Sequence, residues 1–242
     1  MRKLDLDAAQ QMTVPRTIDG NMDAELKLAS EEYCLDASGA YCWVKRGFDL
    51  ALAVLLLPFL LPVFAVLALL IKCTSSGPVF FRHRRIGQHG QPFYLYKFRT
   101  MVPDGDRLLR LYLAENPEAR REWAQQHKLR FDPRITPVGR LLRQTSLDEL
   151  PQILNVFRGE MSFVGPRPIV KEEIHRYGDS FSIYAAARPG ITGLWQVSGR
   201  GELSYDERVA MDVEYVRTWS LLGDLRMLMK TSHVVLKSKG AF

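Results

Sequence analysis

From Leu50 to Ile71 the chain carries no charged side chain. A stretch this long and apolar fits few places in a protein. About 20 such residues suffice to cross a bilayer, and few helices in soluble cores stay apolar all round for so long. Pro58 and Pro62 stand inside the run, where each removes a backbone hydrogen bond and bends a helix. Basic residues flank both ends, with Lys45 and Arg46 before and Lys72, Arg82, Arg84 and Arg85 after. Because basic residues favour the cytoplasmic side, a straight crossing sets one flank against its preference. A bent helix that enters one leaflet and returns satisfies both flanks, and it ranks ahead of a single span or a soluble core helix. The residues therefore predict a re-entrant membrane helix over 41–73, broken at Pro58 and Pro62. It separates a mobile leader over 1–40 from a cytosolic domain over 74–242.

The 242 residues suffice for one principal domain with a real core, and the formal charge of +6 points to an anionic partner. A membrane surface, a phosphorylated ligand and nucleic acid all fit that charge. The chain shows no nucleic-acid-binding module, which argues against the last. Cys34, Cys42 and Cys73 are odd in number and form no CxxC pair, as in a chain not built on disulfides. The leader has no apolar segment of the secretory type.

Beyond the apolar run, two short strands near Val79–Phe81 and over 92–98 form a hairpin with a basic rim suited to lipid head groups. A helix rich in Leu, Arg and Glu follows over 104–127. The next informative stretch is Ser146-Leu147-Asp148-Glu149-Leu150-Pro151-Gln152, which sets two acids side by side in an apolar, helix-forming run. Such neighbours do not pair within a helix. They reach one centre if they sit at a helix N-terminus capped by Ser146 or Thr145. That arrangement suits a divalent metal with one carboxylate left free to attack. Arg143, Arg167 between two prolines, and Arg200 in a Gly-rich stretch add planar guanidinium forks suited to phosphate. Asp224 serves equally as a helix N-cap or as a further metal ligand.

Five motifs in this order resemble the bacterial sugar transferases, the monotopic phosphoglycosyl transferases. They are Lys45-Arg46-Gly47-Phe48-Asp49, Tyr96-Lys97-Phe98-Arg99-Thr100-Met101, the Asp148-Glu149 stretch, Gly159 to Pro168, and Arg188 to Arg200. The resemblance covers about Lys45 to Phe242 and is strongest with the short exopolysaccharide-initiating members. It implies an α/β fold: a small sheet with surrounding and interfacial helices, anchored by an N-terminal re-entrant membrane helix-hairpin. It also implies transfer of a hexose-1-phosphate, galactose or glucose, from a UDP-hexose to undecaprenyl phosphate with release of UMP. Asp148 is then the nucleophile and Glu149 its partner. Magnesium is held by Asp148, Glu149 and Asp224, and phosphates are bound by Lys97, Arg99, Arg143, Arg167 and Arg200. The implied location is the cytoplasmic face of the bacterial inner membrane, with membrane lipid as a partner, no nucleic acid, and a homo-oligomer left open. A membrane-anchored glycosyltransferase releasing UDP and a non-enzymatic basic membrane scaffold are the competing readings. The family break is often Ser-Pro, whereas Leu61-Pro62 stands here, so the bend rests on the prolines.

Overall fold

The computed structural model describes residues 40–126, 128–198 and 203–236. The predicted leader, Ala40 apart, and Arg200 lie outside them. One helix, α1 (Ala40–Thr74), runs without interruption through both prolines, rather than as two helices joined by a turn. At 1.5 Å per residue it is about 52 Å long. It is long and apolar enough to cross a membrane, and only 11% of its most apolar window is buried. It is the membrane anchor.

Two faces of α1 meet two surroundings. Ala53, Leu67 and Ile71 are buried in the core, and Leu56, Leu60 and Phe64 pack against it at the same helical spacing. Val54, Leu55, Phe59, Leu61, Val66 and Leu69 face outward and stay exposed. Pro58 and Pro62 share that outer face. Each leaves the carbonyl four residues back without its helical donor on that face.

Both ends of α1 are fastened to the same domain. Near the start, Lys45 Nζ lies 2.5 Å from Asp224 Oδ2. Arg46 donates to the carbonyls of Val156 and Phe157 at 2.6 and 3.0 Å. Asp49 Oδ1 accepts from Ser162 Oγ and the Phe163 amide at 3.0 and 3.1 Å. At the far end Arg99 donates to the carbonyls of Ser75, at 2.9 Å, and Ser76. Gly77, at φ +104°, leaves room for that guanidinium, which a Cβ there would meet.

The rest is mostly helical, with two small sheets where one was expected. Strands β1 (Phe80–Ile86) and β2 (Pro92–Phe98) pair antiparallel, Phe80 opposite Phe98. Helices α2 (Gly105–Glu115) and α3 (Pro117–Gln126) follow, then α4 (Pro137–Gln144), a 3-10 turn (Leu147–Gln152) and α5 (Ile153–Arg158). Strand β3 (Ser162–Val164) pairs in parallel with β4 (Gly190–Thr192), and the crossover carries α6 (Ile174–Tyr177) and α7 (Phe181–Ala186). Helices α8 (Leu194–Ser198), α9 (Tyr205–Thr218) and α10 (Leu221–Leu236) complete the order. Asn155 joins α5 to the edge of β2, donating to the Tyr94 carbonyl and accepting from the Tyr96 amide. The main core lies where α1, β2, α5, β3 and α9 meet.

Candidate active site

Helix α4 begins with Thr136 Oγ1 accepting from the Gly139 amide at 2.9 Å and Pro137 in the first turn. Gly139 packs so closely on Thr100 that a Cβ would lie 2.0 Å from its carbonyl oxygen. After α4 the chain turns sharply at Ser146, which adopts a left-handed φ of +56° and makes no side-chain cap. Thr145 Oγ1 instead donates back to the Leu141 carbonyl at 2.8 Å. Neither residue is the N-cap that the sequence predicts, because the left-handed turn and the back-bond use up both. Asp148 and Glu149 therefore sit on a 3-10 turn, not in the first turn of an α-helix. Leu147 and Leu150, three apart and so on one side of that turn, pack beside Leu67, Ile71, Phe98 and Leu142. The two acids between them line a cavity of ≈ 1480 Å³.

Ten lysines and arginines line that cavity against four carboxylates. Lys97 follows Phe93 and Leu95 on the inward side of β2 and places Nζ 2.8 Å from Glu149 Oε1. Gln152 Nε2 donates to Glu149 Oε2 at 3.1 Å. Burial works against ionisation of Glu149, but Lys97, Gln152 and Arg167 outweigh it and hold its carboxyl below the usual range. Asp148 differs. It is 8% exposed, and among the described residues no hydrogen bond from another side chain reaches it. Burial pushes its carboxyl up to about 6, with Lys97 opposing and Glu149 adding to the rise. Arg143 is fixed by Nε donating to Thr100 Oγ1 at 2.9 Å, and its charge favours the Asp148 carboxylate.

The predicted residues separate into two groups. Asp148, Glu149, Lys97, Arg99, Arg143 and Arg167 all line the cavity, although Arg99 is engaged with Ser75 and Ser76. Asp224 does not line it. It is fully buried, accepting from Lys45 and from Trp219 Nε1 at 2.9 Å on one oxygen and from Tyr215 at 3.0 Å on the other. Among the described residues, no three His, Cys, Asp or Glu side chains gather as a metal site. Arg85, Arg208 and Trp195 also line the cavity, and the sequence reading missed them. Arg85 was legible only as part of a basic strand, and Trp195 only as part of a Gly-rich motif. Nothing in its own segment marked Arg208.

The description "bacterial sugar transferase" fits residues 40–238 of this chain. The exopolysaccharide production protein ExoY of Sinorhizobium fredii is 50% identical over 198 residues, 82% of this chain and 88% of that protein. The undecaprenyl-phosphate galactose phosphotransferase of Salmonella typhimurium is 48% identical over 201 residues, 83% of this chain and 42% of that protein. The UDP-glucose:undecaprenyl-phosphate glucose-1-phosphate transferase of Escherichia coli is 37% identical over 219 residues, 87% of this chain and 44% of that protein.

Proposed function

This chain belongs to the bacterial sugar transferase family, and we propose that it moves a hexose-1-phosphate, galactose or glucose, from a UDP-hexose to undecaprenyl phosphate and releases UMP. The observation that carries the reading is Asp148: a buried carboxylate that, among the described residues, accepts no other side chain's hydrogen bond, beside an ion-paired Glu149 in a strongly cationic cavity.

A carboxylate oxygen of Asp148 attacks the sugar-linked phosphorus. The bond from that phosphorus to the bridging oxygen breaks, and UMP leaves with the electron pair. The product is an aspartyl-phosphosugar. A phosphate oxygen of the lipid then attacks the same phosphorus, and the bond to Asp148 breaks to restore the carboxylate. Desolvation favours the first attack, because a poorly hydrated carboxylate is the stronger nucleophile. Lys97 and Arg143 offset the charge of the diphosphate and orient it. Magnesium suits the donor set of Asp148 and Glu149, two hard carboxylates in a cavity that would add phosphate oxygens. When bound, it neutralises the diphosphate and eases departure of UMP. Asp224 is committed to Lys45, Tyr215 and Trp219 and is not part of that set.

The fastening of both ends of α1 to one domain supports an anchor that enters and leaves on the same side, with the catalytic domain on the cytoplasmic face of the inner membrane. The test is nucleotide release from purified protein given UDP-hexose, magnesium and undecaprenyl phosphate, beside Asp148→Asn. UMP from the parent protein and none from the variant is the expected result. UDP as product would move the assignment to an ordinary glycosyltransferase.

A further inference from the structure

Arg85 on β1, Arg167 after β3 and Arg208 on α9 bring three guanidinium groups to one wall of the cavity. Arg167 and Arg208 both lie over the Trp195 ring, at 5.5 and 5.0 Å from its centroid. Arg85 is close enough to Arg167 that, after burial, this like charge is the main influence lowering its proton affinity. The carboxylates that act on the group, Glu149, Glu173 and Asp212, are each already engaged, by Lys97, the Val170 amide and Tyr177 respectively. The nearest carboxylate oxygen to Arg85, on Glu173, is 4.0 Å away and already accepts from the Val170 amide. Three buried donors, Arg85 Nε, Arg208 Nε and Trp195 Nε1, find no acceptor among the described residues. Buried orphan donors are costly, and like charges held close together add to that cost. Both costs fall when a ligand made only of acceptor oxygens and carrying about two negative charges binds there.

The neighbouring wall narrows the ligand further. Phe163, Ile191, Leu228, Leu56 and Leu60 line the cavity toward the membrane helix. An anionic head at the arginines is thus continuous with an apolar path to α1. Lys97, Arg143 and the acid pair lie with the polar residues of β2 and α4. A phosphate inside a diphosphate carries about one charge and is substituted at two oxygens, whereas a terminal phosphomonoester carries nearly two charges and offers three free oxygens.

We propose that Arg85, Arg167, Arg208 and Trp195 form the head-group subsite for the acceptor, a terminal phosphomonoester whose hydrocarbon chain leaves over Ile191 and Leu228 toward α1. This rests on the function proposed above and divides its site in two. The donor is held on the Lys97–Arg143 side and the acceptor phosphate on the Trp195 side. Arg85 and Arg167 both act electrostatically on Glu149, so the two sides meet at the acid pair.

The experiment uses full-length Arg85→Gln, Arg208→Gln and Arg208→Lys proteins in detergent micelles, with folding checked by thermal melting. A single-turnover burst of UMP without acceptor reads the donor half. The KM for undecaprenyl phosphate reads the acceptor half. Each Gln variant is expected to raise that KM at least tenfold with the UMP burst within about twofold of the parent, and Arg208→Lys to fall between. Retention of polyprenyl phosphate over the corresponding polyprenol, measured without donor, should fall in parallel. A burst slowed tenfold with unchanged acceptor KM would place the donor's phosphate on the cluster and overturn the subsite. Unchanged burst, KM and retention would make the cluster structural. If the parent gives no UMP at all, the function proposed above fails, and the retention measurement alone still decides whether the cluster binds a phosphomonoester.

Discussion

Burial raises the Asp148 carboxyl to about 6, and this displacement has consequences for both activity and stability. The proposed nucleophile, Asp148, must be ionised, so the rate of the proposed UMP release should fall as pH drops through about 6, by about tenfold at pH 5. A pH–rate profile flat from 8 to 5 would remove Asp148 from that role. The linkage sign is equally definite. A carboxyl whose folded-state pKa is raised adds stability below the ordinary carboxylate range, and this is lost as pH rises through about 6. Asp148→Asn should therefore match the parent's unfolding free energy near pH 4 and exceed it at pH 7 by on the order of 2 kcal/mol, measured by denaturation in the presence of a chelator. The acid pair was legible in the sequence because adjacent carboxylates in an apolar run stand out. The arginine cluster was not. Arg85, Arg167 and Arg208 come from three separate parts of the chain, and only tertiary packing brings them to one wall of the cavity, the last two over one ring.

The elements differ from what periodicity predicts, chiefly where remote partners intervene. Lys45 and Arg46 read as a basic flank of a membrane helix. In the folded chain Lys45 pairs with Asp224 and Arg46 covers the last carbonyls of α5. No local pattern signals a partner so far along the chain. Asp224 could be read from its neighbours as a metal ligand or a cap, and its bonds place it in the fastening of α1. Asp224→Asn should leave the largely buried Lys45 ammonium unpaired and cost about 3–5 kcal/mol. The check is chemical denaturation with magnesium titrated into the assay. A variant with unchanged denaturation midpoint and weakened magnesium dependence would return Asp224 to the metal site. The sequence predicts a break at Pro58 and Pro62, whereas one continuous helix passes through both. The fold keeps α1 continuous because Leu56, Leu60 and Phe64 hold its inner face to the core along the whole stretch.

At the scale of the whole molecule the anchor is not an appendage. Ala53 belongs to the main core cluster, and Leu67 and Ile71 to the one beneath the acid pair. Each fully buried side chain of the size of Leu67 or Ile71 contributes about 1.5–3 kcal/mol. Removing residues 1–76 is therefore expected to yield an unfolded or aggregating chain instead of a soluble catalytic domain. Circular dichroism and gel filtration of the truncated protein decide the point. A monodisperse, cooperatively melting product would show that the helix is dispensable to the fold.

The clamps at the two ends of α1 also bear on the bilayer itself. Because the helix cannot slide against the domain, its depth of immersion sets how high the acid pair rides above the acyl chains. The enzyme thus carries a built-in ruler. In a bilayer of mismatched thickness the membrane must deform, since the protein cannot. Turnover should then vary with acyl-chain length for the membrane-bound acceptor, while the affinity for the water-soluble donor stays constant.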